Sequence, residues 1–399
     1  MTTAVQRRVL TMNRGSSTLK SALYDAANRN ELLLSISIDQ AAGSGGRLKI
    51  VDAKGTVLHE SPVDSGESNI ALEAMLAWLG EHGNLSGLAA IGHRLVHGGP
   101  RYKEPQRVTP EFISEIEKIA PIDPDHMPAA IREIKFMAAK FTNIPQVACF
   151  DTAFHRTLPQ VARMYALPRR LSDQGIVRYG FHGLSYEYIT SELQVLEAKL
   201  ANGRVIIAHL GSGASMAAVK DGKSIDTSMG FAPLEGLVMG TRSGDVDPGA
   251  LLYLLQQEKI SAKDLSKLLN KESGLLGVST TSGDMRALLE TSAKDSRAGD
   301  AVDLFCYRAK KYIGAYAAVL GGLDLLIFAG GIGEHAPAVR KRICEGLDFL
   351  GIRLDSTAND TNAALISAGD SHVRVRVLKT NEDLMIVRHV VSLLGWTDA

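Results

Sequence analysis

The sequence predicts an α/β fold in which one mixed unit of strands and helices occurs twice, and three observations predict it. First, Val9-Leu-Thr-Met-Asn13-Arg-Gly-Ser-Ser-Thr18-Leu-Lys20-Ser-Ala-Leu-Tyr-Asp25 and Val205-Ile-Ile-Ala-His209-Leu-Gly-Ser-Gly-Ala-Ser215-Met-Ala-Ala-Val-Lys-Asp221-Gly222 share one design. Each runs from an apolar strand through a polar or basic residue and a Gly/Ser turn into a second strand, a hairpin whose tip offers backbone N–H groups and hydroxyls to an anion. Second, both stretches are followed by helical patterns and then by a buried apolar strand, Val147–Phe150 in one half and Leu325–Phe328 in the other. Third, 399 residues exceed the size at which one hydrophobic core stops growing, so two domains are expected. Most Gly/Ser turns only connect strands, and period matching also arises by coincidence, so the repeat is an expectation about topology.

Along the first half, short apolar runs separated by polar turns such as Gly43-Ser-Gly-Gly46 and Asp52-Ala-Lys-Gly55 predict an antiparallel opening sheet. Helical periodicity follows over 70–79, 110–119 and 128–141, before the strand at 147–150. After Arg204 the order recurs: strands at 205–208 and 216–219, helices near 249–256, 262–269 and 301–320, then the strand at 325–328. A last strand over 373–378 leads through Thr380-Asn-Glu-Asp383 into a terminal helix. Thr380 or Asn381 would cap it, with Asp383 in the favourable first turn. No low-complexity linker separates the halves; the joint falls near Phe150-Asp-Thr-Ala-Phe154, with a second crossing near Glu382.

Composition excludes several classes. Lys plus Arg equals Asp plus Glu at 44 each, and 45% of residues are hydrophobic, which disfavours a nucleic-acid partner and disorder and suits a small or nucleotide-sized ligand. Cys149, Cys306 and Cys344 are widely spaced and odd in number, so neither a disulfide framework nor a zinc site is indicated, and a reducing cytoplasm is the expected location. The run from Met1 to Arg8 lacks the apolar segment of a secretory signal. Residues 313–333 approach the length of a membrane span, but Gly321-Gly322 breaks the helix, Asp324 is charged, and 325–328 reads as a buried strand.

Several constellations could carry chemistry. Gly92-His-Arg94-Leu-Val-His97-Gly-Gly99 and Gly240-Thr-Arg242-Ser-Gly244 set arginines among glycines, where a guanidinium fork can meet carboxylate or phosphate oxygens. Each alone reads equally as a surface arginine in a turn. His93, His97, His126, His155, His182 and His209 lie near glycine, proline or strand ends, where a lone histidine is more often a structural donor than a catalyst. Asp151 after a strand and Glu382 before a helix suit Mg²⁺, which needs few carboxylates, or serve as caps. Gly330-Gly-Ile-Gly333-Glu-His-Ala-Pro resembles an anion-binding strand-to-helix turn. Neither GxxxxGK[ST] nor GxGxxG occurs.

Together these motifs resemble the acetokinase family, within the superfamily that includes actin and the sugar kinases. The resemblance runs nearly end to end, through the Asn13–Lys20 turn, Gly92–Gly99, VACFDTAFH (Val147–His155), Arg178–Ser185, His209–Ser215, DTSMGFAPLEGLVMGTR (Asp226–Arg242), Gly330–Glu334 and Thr380-Asn-Glu382. It implies duplicated actin-like (ribonuclease H-like) domains, residues 1–151 with 383–399 and residues 152–382, with the active site in a cleft between them. It implies reversible transfer of the ATP γ-phosphoryl group to acetate, giving acetyl phosphate and ADP, with Mg²⁺ or Mn²⁺, in a homodimer that engages neither nucleic acid nor membrane. Asn13 and Glu382 then correspond to metal-site residues, and Asp151, Arg94, Arg242, His182 and His126 to catalytic ones. Arg94, Val96, Phe181 and Pro233 surround the carboxylate substrate. Nucleotide contacts fall to Lys20, His209, Gly211, Ser212, Gly213, Asp284, Met285, Arg286, Gly330, Gly331, Ile332, Gly333 and Glu334.

Some positions depart from the family pattern. Arg14 and Thr18 stand where small residues are commoner, Ser212 and His335 where the family has Asn, and Leu184 and Tyr186 where it has Thr and His. In Ala120-Pro-Ile-Asp-Pro-Asp-His126-Met-Pro the family histidine matches either His126 or Asp123, and the following x-Pro favours His126. A methylene changes selectivity by only about 1–3 kcal/mol, so propionate and butyrate remain alternatives to acetate. An actin-like ATPase switch without a carboxylate substrate is the alternative from another class.

Overall fold

A computed structural model describes residues 7–15, 18–28, 30–39, 46–64 and 69–396. The expected turn at Gly43–Gly46 and the tip of the first hairpin, Ser16 and Ser17, lie largely outside these residues. So does most of the N-terminal run read for a secretory signal. The chain forms two compact units, Met1–Ala153 with Asn381–Ala399, and Phe154–Thr380.

The first unit is built on an eight-stranded sheet. Its strands are β1 (Arg8–Arg14), β2 (Thr18–Asp25), β3 (Glu31–Asp39), β4 (Gly46–Asp52), β5 (Val57–Val63), β6 (Leu88–Leu95), β7 (Gln106–Arg107) and β8 (Gln146–Phe150), in the order β5-β4-β3-β2-β1-β6-β8-β7. β1 to β5 pair antiparallel in succession, whereas β6 runs parallel to β1 and β8 parallel to β6. Parallel strands need crossovers, usually helical ones. The helices Ile70–Glu81 and Met127–Lys140 lie in the segments that lead from β5 to β6 and from β7 to β8. Leu10, Ile36, Ile50, Met75 and Leu79 are buried in one core cluster, and Leu95, Phe112, Ile131 and Phe150 in another.

The second unit has five strands, β9 (Arg204–Leu210), β10 (Ala214–Lys220), β11 (Lys223–Thr227), β12 (Leu325–Ala329) and β13 (Arg374–Val377), in the order β11-β10-β9-β12-β13. Three strands meander antiparallel and two follow in parallel. This is the order of β3-β2-β1-β6-β8 in the first unit, so the duplication seen in the hairpins extends to the whole sheet. Ile207, Ile327 and Leu325 pack with Tyr186 and Ile189 of the helix Gly183–Ala201.

Local chemistry sets the element ends. Thr109 accepts from Phe112 N–H at 3.1 Å ahead of Pro110, starting the helix Pro110–Ile119. The 25-residue helix Ser296–Leu320 is capped by Asp295 and stops at Gly321, whose φ of 73° is the left-handed conformation glycine adopts freely. The expected membrane-length run is therefore a helix end followed by the buried strand β12, and no helix among the described residues is long and apolar enough to cross a membrane. Of the two candidate caps, Asn381 holds the terminal helix Glu382–Leu393, accepting from Leu384 N–H at 3.0 Å.

That terminal helix corrects one expectation. The glycines flanking the arginines serve close packing here. A Cβ on Gly92 would lie 2.3 Å from Ile386 Cγ2, and one on Gly98 2.2 Å from the Tyr102 carbonyl. Gly244, at φ 68°, would meet the Leu237 carbonyl at 2.5 Å.

Candidate active site

On the first unit, β1, β6 and β8 end together and bring Asn13, Arg94 and Asp151 to one edge, where Glu382 joins them from the start of the terminal helix. Arg94 forks onto Asp151, Nε donating to Oδ1 at 2.9 Å and Nη2 to Oδ2 at 2.6 Å. Its Nη1 donates to Asn13 Oδ1 at 3.1 Å and to the Arg14 carbonyl at 3.2 Å. Asn13 Nδ2 in turn donates to Glu382 Oε2 at 3.1 Å. Side-chain exposure is 12% for Arg94 and 1% for Asp151, so the pair is shielded from water and held by two parallel charge-assisted bonds. Burial opposes the Arg94 charge, but the carboxylates of Asp151 and then Glu382 outweigh it and hold the guanidinium firmly protonated. Beside them, burial raises the Asp383 carboxyl above its ordinary range, although Thr11 Oγ1 donates to it at 2.7 Å.

Two side-chain pairs of this unit were missed or left open from sequence. Arg14 forms an ion pair with the buried Glu133. The signal was available, because Glu133 falls on the buried face of its helix with Ala130, Ile134 and Met137. His126 and Asp123, the two candidates for the family histidine, are bonded to each other, His126 Nδ1 lying 2.9 Å from Asp123 Oδ1. The His126 contact outweighs burial and lowers the Asp123 carboxyl. Lys20 lies directly across the hairpin from Asn13, and Val96 is buried just beyond β6.

On the second unit the hairpin turn Gly211-Ser212-Gly213 is closed by Gly211 N–H donating to the Gly213 carbonyl at 3.0 Å. Two histidines face it. A Cβ on Gly211 would lie 3.9 Å from His209 Nε2, and one on Gly213 would lie 3.3 Å from His182 Nε2 and 2.8 Å from Arg242 Nη2. Gly213 is thus kept bare by a histidine and an arginine aimed at the same point. The rings of His182 and His209 stack, centroids 4.3 Å apart. Each turns Nδ1 to a serine, Ser215 for His182 and Ser185 for His209, both at 2.8 Å. His182 has φ 58°, a left-handed conformation costing about 1–2 kcal/mol for a side chain with a Cβ.

Arg242 is aimed by the long family-like run before it. Its Nη1 donates to the Pro233 carbonyl at 2.5 Å. That segment is pinned by Arg178, which donates to Glu235 Oε1 at 2.7 Å and to the Met229 carbonyl at 3.0 Å. Tyr165 donates to Glu235 Oε2 at 2.7 Å and accepts from Phe231 N–H at 2.8 Å. Neither Tyr165 nor Glu235 stood out in the sequence.

The strand-to-helix turn differs in detail from its expected form. The helix Gly330–His335 begins directly after β12, and Gly330 N–H donates to Glu334 Oε1 at 3.1 Å, so that donor and that carboxylate bind each other. Gly331 is exposed, Ile332 half-buried and Gly333 buried beneath them. The buried Arg340 fixes this turn by donating to the Gly333 carbonyl at 2.8 Å and the Glu334 carbonyl at 3.1 Å. Asp284 caps a helix by accepting from Ala287 N–H at 2.9 Å, Met285 is in the core, and Arg286 is exposed. Phe181 is fully buried and Pro233 half-buried.

His93 and His155 are structural. His93 Nε2 lies 2.7 Å from Gln146 Oε1, and His155 spans Ser224 Oγ at 2.8 Å and the Phe181 carbonyl at 3.0 Å. Burial pushes both imidazoles down to about 4. A histidine depressed below its unfolded value stabilises the fold fully above about pH 6.5 and loses that contribution as pH falls toward 4, at about 1.4 kcal/mol per unit per residue. Urea unfolding is therefore expected to show lower stability at pH 5.5 than at pH 7.5; equal stabilities would refute it.

Comparison with known proteins identifies the family. The model of the acetokinase family matches residues 8–388. The chain is 45% identical over 392 residues to the acetate kinase of Rhodopseudomonas palustris, covering 96% of this chain and 98% of that protein. It is 43% identical over 400 residues to the acetate kinase of Methylocella silvestris, covering 98% of each. Among solved structures, a propionate kinase from Francisella tularensis superposes with a TM-score of 0.90 at 36% identity, covering 96% of this chain and 98% of that one. Porphyromonas gingivalis acetate kinase superposes with a TM-score of 0.87 at 38% identity, covering 97% and 100%. With the hairpins, the duplicated five-strand order and these matches all concordant, the chain belongs to the acetokinase family.

Proposed function

We propose that this protein reversibly transfers the γ-phosphoryl group of ATP to acetate, forming acetyl phosphate and ADP. The observation that carries the proposal is the convergence of Arg242 and His182 on the bare Gly213 turn, two donors beside a backbone cradle. In the transfer, a carboxylate oxygen forms a bond to the γ-phosphorus as the bridging bond to ADP breaks. The transition state spreads negative charge over the equatorial oxygens, so positioning and cationic donors dominate catalysis. Arg242 and His182 donate to those oxygens, Arg94 orients the carboxylate, and Asp151 keeps the Arg94 fork in place. His209 and the Gly211–Gly213 turn take the nucleotide phosphates, with Lys20, Asp284, Met285, Arg286 and Gly330–Glu334 completing the nucleotide contacts. Val96, Phe181 and Pro233 line the acyl group, and His126, held by Asp123, supplies a further donor.

Asn13 and Glu382 are the proposed holders of Mg²⁺, or of Mn²⁺ in its place. Their chemistry fits, since an amide oxygen and one carboxylate leave most positions to phosphate and water, as Mg²⁺ prefers. No group of three His, Cys, Asp or Glu side chains able to enclose an ion occurs among the described residues. Bound there, the ion supplies charge neutralisation to the phosphate oxygens. The three widely spaced, buried cysteines, Cys149, Cys306 and Cys344, support a reducing, cytoplasmic setting, and the family resemblance supports a homodimer.

Trapping with hydroxylamine tests the function. Acetate with ATP and Mg²⁺ is expected to give acetohydroxamate, with kcat/KM for acetate above that for propionate and butyrate. A higher value for a longer acid would reassign the substrate, and ATP hydrolysis without hydroxamate from any of the three would replace the kinase with an ATPase switch.

A further inference from the structure

His182 stands at the end of a short chain of hydroxyls. Its Nδ1 lies 2.8 Å from Ser215 Oγ, and Ser215 Oγ lies 2.5 Å from Tyr186 Oη. Tyr186 and Ser215 are completely buried, one near the start of the helix Gly183–Ala201 and the other on β10.

Proton counting sets its direction. A phenol has one proton to give, and burial holds the Tyr186 hydroxyl well above its ordinary value, so it remains a donor. If Tyr186 donates to Ser215 Oγ, the serine proton can point at His182 Nδ1. With the serine proton directed there, that nitrogen is an acceptor, which places the imidazole proton on Nε2, the atom that faces the Gly213 turn. A protonated imidazolium would carry hydrogen on Nδ1 and oblige Ser215 Oγ to accept from both neighbours, turning its own proton away from them. The surroundings oppose that charge as well, because the His209 ring is stacked at 4.3 Å and Arg242 Nη2 is aimed at the same Gly213 point.

We propose that Tyr186 and Ser215 are positioning residues that lock His182 as the neutral Nε2–H tautomer, presenting one oriented donor to the phosphoryl group in flight. This rests on the kinase function proposed above. Cationic stabilisation falls to Arg242, while His182 acts through direction. Without Tyr186, Ser215 is free to turn, and the histidine divides between tautomers of which only one donates forward.

The test is long-range ¹⁵N–¹H spectroscopy of histidine-labelled full-length protein at pH 7.5 without substrate, the His182 signals being assigned by their loss in His182→Gln. The wild-type protein is expected to show His182 protonated at Nε2 alone. Tyr186→Phe, which removes one oxygen and keeps the ring, is expected to show mixed tautomers, with kcat lowered about tenfold and KM for ATP and acetate within about twofold. Ser215→Ala is expected to lose the tautomer preference altogether and at least as much kcat. A wild-type His182 carrying its proton on Nδ1, or on both nitrogens, overturns the proposal, as does a Tyr186→Phe protein whose tautomer and kcat match wild type. Because the tautomer is read without substrate, it stands apart from the kinase function, which fails separately if wild-type protein forms no acyl phosphate.

Discussion

Replacing Arg94 by alanine is expected to lower kcat/KM for acetate by about 10³ or more, and to destabilise the first unit by about 3–5 kcal/mol. Both effects come from one geometry. The guanidinium spends Nε and Nη2 on Asp151 and Nη1 on Asn13 and the Arg14 carbonyl, so it ties three chain segments at the ends of β1, β6 and β8. Its loss leaves a carboxylate with 1% exposure facing low-dielectric surroundings without the Arg94 charge. The sign of the pH response follows. With Arg94 gone, burial raises the folded-state pKa of Asp151 above its unfolded value, so the deficit is small at low pH and grows as pH rises through that raised pKa. Thermal unfolding of Arg94→Ala at pH 5 and pH 8 reads this directly, and a deficit independent of pH would refute it. Arg94→Ala with Asp151→Ala is expected to regain much of the stability, because a buried pair removed whole costs far less than one broken. It is expected to regain none of the activity. Arg94→Lys keeps the charge but cannot fork onto two carboxylate oxygens, and its turnover is expected to lie between wild type and alanine.

Arg242→Ala is the second large expected effect, a fall in kcat of about 10²–10³. The contrast with Arg94 lies in the partner. Arg242 donates to a neutral carbonyl, that of Pro233, while its Nη2 points at Gly213, so its removal strands no opposing buried carboxylate at that contact. The loss is expected in kcat rather than in KM for ATP, since the interaction strengthens as charge develops on the transferring group. Single-turnover acetyl phosphate formation measures it. Near-normal turnover would remove Arg242 from the mechanism, and an equal rise in KM with kcat intact would make it a ground-state contact.

Much of the fold was legible because its signals are local. The helix at Pro110–Ile119 carries its own cap and proline, the end of Ser296–Leu320 carries its glycine, and the apolar runs at Val147 and Leu325 lie in fully buried strands. The candidate site was legible mainly by resemblance. Its polar residues occur singly in the chain, and each admits a structural explanation, which proved correct for His93 and His155. Glu334, expected to contact the nucleotide, also accepts from Gly330 N–H at 3.1 Å and from Thr380 N–H at 3.4 Å, contacts that no local pattern in the sequence shows. The glycines beside the arginines were read as ligand clearance and instead admit Ile386 and the Tyr102 carbonyl. No rule of spacing distinguishes a glycine cleared for a ligand from one cleared for a neighbouring helix.

The sequence by itself determined the two Gly/Ser hairpins, the order of strands and helices behind each, and the kinds of side chain available to meet phosphate. Strand period, turn chemistry and caps act over a few residues, so the chain states them locally. Only the tertiary structure decided which of those side chains meet. Arg94 reaches Asp151 across 57 positions, Arg14 reaches Glu133 across 119, and Asn13 reaches Glu382 across 369. Hydrogen bonds and ion pairs act over a few ångströms, so such partnerships exist only after the sheet has brought the strand ends together. The turn at Asn13 and the turn at Gly211 begin as one design, and long-range packing gives the first an arginine fork with two carboxylates and the second a stacked pair of histidines with Arg242.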